Sequence, residues 1–166
     1  MAIAPLPAPS VDDRERVRRL LGREPLGAYE VVVRDVAGDP VVLRNAALLD
    51  DGTPMPTRYW LVGHAEVVAV SRLEAAGAVR RAEAELDPEA VADAHRRYAA
   101  ERDATIDPGH QGPRPFGGVA GTRRGVKCLH AHYAWYLAGG DDPIGRWVAD
   151  RLAEAGVATT TRVEAR

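Results

Sequence analysis

Strand-forming residues in this chain are confined to one early stretch, and the rest carries helical spacing. Residues 29–36 and 40–45 are rich in β-branched side chains and flank Ala37-Gly38-Asp39, a hairpin turn. The run Asp50-Asp51-Gly52-Thr53-Pro54-Met55-Pro56 then turns the chain into a third strand at 58–62. Ahead of these strands, Ser10 and Asp13 make a capping box for a short helix whose Val17, Leu20 and Leu21 share a face, with Gly22 as its stop. Behind them, residues 65–76 space Val67, Val70 and Leu73 as a helix that Gly77 ends or kinks. Asp87-Pro88 and Asp142-Pro143 each pair a capping carboxylate with a proline at the first helical position. The first opens a helix to about residue 104. The second opens one whose Ile144, Trp147, Val148 and Leu152 form an apolar stripe. A further helix over 122–138 is apolar nearly all round. The expectation is an α+β fold: a small antiparallel sheet of about three strands packed with about five helices, helix 122–138 central. Residues 10–156 form the single domain, between a disordered tail at 1–9 and a frayed one at 157–166.

The chain's 166 residues suffice for one core and are too few for two of ordinary size. A hydrophobic share of 46% and a charged share of 28% are those of a globular protein. The net charge of −2 argues against a nucleic-acid partner. A single cysteine excludes an intramolecular disulfide and any all-cysteine metal site. No apolar run approaches the roughly 20 residues that span a bilayer. The first residues lack the basic segment and apolar core of a secretory signal, so a cytoplasmic protein with no membrane partner is expected.

Local charge says more than net charge. Residues 108–140 contain no Asp or Glu, where about five are expected from 24 acids in 166 residues. The same stretch holds Arg114, Arg123, Arg124 and Lys127, with His110, His130 and His132. Lys127 is the one lysine beside 21 arginines, and it adjoins the one cysteine, Cys128. The Gly-rich run 117–125 entering a helix would aim backbone N–H groups and the positive end of the helix dipole at an anion, with Arg123, Arg124 and Lys127 adding charge. A thiol beside a cation near such a helix start is disposed to ionise. The spacing is neither a P-loop nor a dinucleotide fingerprint. The bland alternative is a solvated basic turn with an inert, buried Cys128.

On a regular helix, Val126, Leu129, Tyr133 and Leu137 share a face, with His130 at its edge as a catalytic group or a satisfied core histidine. His132 stands four residues from Cys128, the spacing of a thiol–imidazole pair or a shared metal. A zinc site would also need His64, His110 or Asp35, and no spacing here is diagnostic of one. His95, Tyr98 and Arg102 fall on one face of the preceding helix, as the wall of a site or as packing.

Four pieces together, DGTPMPTRYWL (51–61), SRLEAAG (71–77), AHRRYAAER (94–102) and GVKCLHAHYA (125–134), resemble an actinobacterial and more widely bacterial family, the domain of unknown function 501. The resemblance implies that His95, Tyr98, Arg102, Lys127, Cys128 and His130 belong to the family pattern, His132 less closely. It implies no activity. Relatives often carry Cys at the position of Asp35 and Cys or His at that of Gly63, so this chain departs from any metal site built there.

The expectation is a cytoplasmic enzyme or enzyme-like binder of an anionic, including phosphorylated, small molecule. Arg123, Arg124 and Lys127 would hold the anion, with Tyr98 and Arg102 facing the same cavity. Cys128 would be the nucleophile, with His130, His132 or His95 as acid–base partner. The alternatives are a non-catalytic module for a division or envelope-associated protein partner, and a small zinc domain using Cys128, His132 and His64. No cofactor is required by the sequence.

Overall fold

The computed structural model describes residues 4–164. Helix α1 (Val11–Leu21) precedes strands β1 (Tyr29–Arg34), β2 (Pro40–Asn45) and β3 (Tyr59–Leu61). Helices α2 (His64–Ala75), α3 (Ala78–Glu85), α4 (Pro88–Asp103), α5 (Leu129–Leu137) and α6 (Pro143–Glu154) follow, with a 3₁₀ turn at Val119–Gly121 before α5. The strands form one antiparallel sheet in the order β1-β2-β3. This is the α+β architecture expected, with six α-helices among the described residues.

Strand alternation divides the sheet between two apolar layers. On one face Tyr29, Leu43 and Val62 meet Val17 of α1. On the other, Val33, Val42 and Tyr59 join the main core with Ala134, Trp135 and Leu137 of α5. A register shift between Val31 and Val33 lets both Val32 and Val33 face that main core. Helix α5 packs against β3, α2 and α6, which makes it the central helix.

Two features differ from the sequence expectation. Helix α5 begins at Leu129, not 122, because Gly121 and Gly125 adopt left-handed backbone (φ 73° and 66°) and Cys128 is extended (φ −149°, ψ 113°). Gly77, at φ 83°, breaks the helix after α2 outright, and α3 restarts at once with Ala78 and Ala82 buried. Alanines one turn apart are a weak hydrophobic signal, which is why no helix was expected there.

Residues 4–10 carry no regular structure, and 1–3 of the expected N-terminal tail lie outside the described residues. Residues 160–163 of the C-terminal segment make contacts with the core. Thr160 donates from its amide and hydroxyl to Glu66, Val163 N–H donates to Leu137 O, and Arg162 donates to the carbonyls of Tyr136, Gly139 and Gly140 at the end of α5. Residues 165–166 of that expected tail lie outside the described residues.

Helix α4 ties β3 to α5 through Glu101, which accepts from Arg58 Nε at 3.2 Å, from Tyr59 OH, and from Trp135 Nε1 at 3.1 Å. Burial first, and the Glu101 charge second, push the Tyr59 phenol up to about 12. A folded-state value above the ordinary 10 stabilises the fold below pH 10 and is lost as the pH rises towards 12. Urea midpoints should therefore fall between pH 10 and 12, and Tyr59→Phe should flatten that fall. A midpoint unchanged across the window would contradict this account of Tyr59.

Candidate functional site

Cys128 occupies the N-cap position of α5. Its extended backbone sends the sulfur to His130, with Sγ 4.0 Å from Nδ1, so the four-residue pairing with His132 does not form. The other ring nitrogen, Nε2, lies 3.0 Å from Ser71 Oγ and 3.3 Å from Val67 O. A carbonyl only accepts, so Nε2 carries the hydrogen and Nδ1 presents its lone pair to the thiol. Glu74 of α2 completes the group, with Oε1 3.3 Å from His130 Nδ1 and accepting from Leu129 N–H at 2.8 Å. That carboxylate sits on the positive end of the α5 dipole.

The electrostatics draw the two groups towards each other, the thiol down and the imidazole up. Burial pushes the Cys128 thiol up, but the His130 hydrogen bond, the Ala131 amide and the His130 charge together hold it below its ordinary value, against Glu74. The hydrogen bond to Cys128 raises the His130 imidazole, burial opposes it, and Glu74 and the Val67 carbonyl add to the rise. Cys128 also lines a cleft of about 310 Å³ with Leu21, Arg23, Tyr59, Trp60 and Leu61, where the Arg23 guanidinium lies 5.4 Å from the Trp60 ring.

The other residues singled out by sequence go elsewhere. His132 is sealed in the core and donates from Nδ1 to Asp142 at 2.6 Å, both side chains fully buried. His95, Tyr98 and Arg102 do share the inner face of α4, but each is committed to backbone. His95 Nδ1 accepts from Val119 N–H at 3.1 Å and Nε2–H donates to Gly125 O at 2.9 Å, while burial lowers its basicity. Tyr98 OH accepts from Arg58 N–H at 2.6 Å. Arg102 donates to Gly117 O at 2.8 Å, Pro56 O at 3.3 Å and Pro115 O at 3.5 Å. His95 and Arg102 border a second cleft with Phe116 and Arg123, not the one Cys128 lines. The shared cavity expected from the two motifs is therefore absent among the described residues.

At the loop–helix junction where an anion cradle was expected, several amides already have partners within the protein. Leu129 N–H goes to Glu74, Val126 N–H to Glu83 at 2.8 Å, and Val119 N–H to His95. Arg123 stacks on exposed Phe116, 4.1 Å from the ring centre, while Arg124 and Lys127 are exposed, and none of the three makes an ion pair among the described residues. His64 opens α2 at the far end from Glu74, Asp35 accepts the Ala37 and Asp39 amides of the hairpin turn, and His110 bonds Pro113 O in the long loop. The set Cys128, His132 and His64 is thus dispersed. Among the described residues, the cluster that gathers metal-type ligand atoms is Glu74, Cys128 and His130.

Glu74 is the member that sequence reasoning missed, although it lies inside the SRLEAAG piece. No described helix is long and apolar enough to cross a membrane. Neither a curated protein nor a solved structure shows a significant match. The model of the family described as Protein of unknown function (DUF501) matches residues 31–150, a span that holds all but the first two residues of the sheet, α2 to α5 and the whole Cys128 cluster. The chain belongs to that family.

Proposed function

We propose that the protein is a thiol-dependent enzyme whose nucleophile is Cys128 and whose proton acceptor is His130. One observation carries this reading: Cys128 lines a cleft, and its sulfur lies within reach of a His130 nitrogen whose lone pair faces it. Attack by sulfur on a carbonyl carbon would form the S–C bond, move the C=O π pair onto the oxygen and deliver the thiol proton to Nδ1, with Val67 O and Ser71 steadying the ring through Nε2. The cleft suits a ligand with a flat apolar body against Trp60 and Leu61 and an anionic group at Arg23, which can offer a forked pair of donors. The unpaired Arg123, Arg124 and Lys127 supply a positive field for its approach. A working thiol suits a reducing compartment such as the cytoplasm.

The test compares two chloroacetamides, one plain and one carried on an aryl carboxylate. The aryl carboxylate should label Cys128 faster, and Arg23→Gln should erase the difference. Equal rates for the two reagents in the parent protein would contradict the ligand assignment.

A further inference from the structure

We infer that a thiophilic divalent cation, zinc being the best fit, binds where Glu74, Cys128 and His130 converge and silences the thiol. The ligand atoms of these three side chains all lie within 4.8 Å of one another. In a Cys-His-acid triad the carboxylate steadies the ring nitrogen remote from the nucleophile. Here Glu74 and the sulfur share the same nitrogen: Nδ1 is 3.3 Å from the carboxylate and 4.0 Å from Sγ. Two groups that carry negative charge thus crowd one lone pair. A proton on His130 offsets one of those charges, whereas a divalent cation between the three atoms offsets both.

The histidine is also prepared as a ligand. Its Nε2–H is tied to Val67 O and Ser71 Oγ, the outer contact that orients metal-binding imidazoles and leaves the other nitrogen free. Zinc takes sulfur at about 2.3 Å and nitrogen or oxygen at about 2.0–2.2 Å, so tetrahedral ligand atoms stand roughly 3.3–3.6 Å apart. The Nδ1–Oε1 separation already matches, the Sγ–Nδ1 separation exceeds that range by a few tenths of an ångström, and the sulfur and carboxylate lie within 4.8 Å of each other. The Leu129 N–H bond to Glu74 holds the carboxylate in place. His130 and Glu74 side chains keep 23% and 29% exposure, enough for an ion to enter and for a water to take the fourth position. Coordination replaces the thiol proton, which passes to solvent, and no oxidant or reductant is involved.

The silencing rests on Cys128 being the reactive group; the binding of metal does not. The full-length protein, stripped with a chelator, is titrated with zinc by calorimetry and with cobalt(II) by absorption. One equivalent should bind, and cobalt should show a thiolate charge-transfer band that Cys128→Ser abolishes. Glu74→Gln, whose amide oxygen can still accept from Leu129 N–H, should fold and weaken zinc binding at least about tenfold. Stoichiometric zinc should protect Cys128 from iodoacetamide. Absence of one-to-one binding, or binding unchanged in Glu74→Gln, overturns the site. A metal-free thiol that is inert overturns the reactive-thiol reading and the silencing with it. A reactive thiol that bound zinc fails to protect overturns the silencing alone.

Discussion

Replacing Asp142 by Ala should cost about 3–5 kcal/mol of folding stability, the range for removing one member of a buried, hydrogen-bonded pair. Asp142 is fully buried and serves two elements at once. Its Oδ2 accepts from His132 Nδ1–H at 2.6 Å, and its Oδ1 accepts from Ile144 and Gly145 N–H at 2.9 and 3.2 Å to cap α6. Alanine removes the cap, worth about 1 kcal/mol on its own. It also leaves a histidine N–H in the core with no acceptor, and water cannot reach it. Asp142→Asn keeps the cap through its amide oxygen and should lose less than half as much. The measurement is urea unfolding at neutral pH. Equal losses for Ala and Asn would mean that the pairing with His132 carries the whole loss and the cap contributes nothing.

The second large effect is expected at Arg102, whose side chain is 1% exposed. Its guanidinium joins two separate loops, donating to Pro56 O before β3 and to Pro115 O and Gly117 O in the Gly-rich loop. Arg102→Met fills similar volume but strands buried carbonyls, and about 3 kcal/mol should be lost, as for hydrogen bonds from a charged donor. Arg102→Lys should recover only part of it, because one ammonium cannot span both loops. Limited proteolysis should then cut within 104–118 faster than in the parent. A stable Arg102→Met protein with an intact loop would show that Arg102 is not the clamp.

That clamp explains why the polar face of α4 was ambiguous in sequence. Spacing places His95, Tyr98 and Arg102 together, and it does so correctly, but it cannot say whether such a face meets a ligand or a loop. Here it meets backbone. The sheet was more legible because its signals are local: β2 matches the expected 40–45 end to end, and the Asp87 and Asp142 caps stand where the Asp-Pro pairs put them.

Helix 122–138 was misread because its apolar spacing continues through Gly125. Left-handed Gly121 and Gly125 and an extended Cys128 stop it locally, and acids from far along the chain take amides next to the break. Glu83 takes the Val126 N–H and Glu74 takes the Leu129 N–H, so both amides are bonded outside any helix. The acid-free stretch at 108–140 has the same explanation. Its carboxylates are supplied by α2, α3 and α4 as Glu74, Glu83 and Glu101, and the last also accepts from Trp135 Nε1. A gap along the sequence is filled across space, so the local positive charge that pointed to an outside anion is partly answered from within. Cys128 and His130 were legible as one motif, two residues apart. Glu74 was not, since an acid on an amphipathic helix surface looks like any other until the partner helix is placed.

The most direct test of the reactive-thiol reading is the rate at which iodoacetamide alkylates Cys128 in the folded, chelator-treated protein, compared with the same protein in urea. The thiolate is the reacting species, and the His130 pairing and the α5 N-terminus both favour it. The folded protein should therefore label at least as fast as the unfolded one, and His130→Gln should slow the folded protein at least about tenfold. A thiol that labels only on unfolding, at a rate indifferent to His130, would contradict the reading and return Cys128 to a packing role.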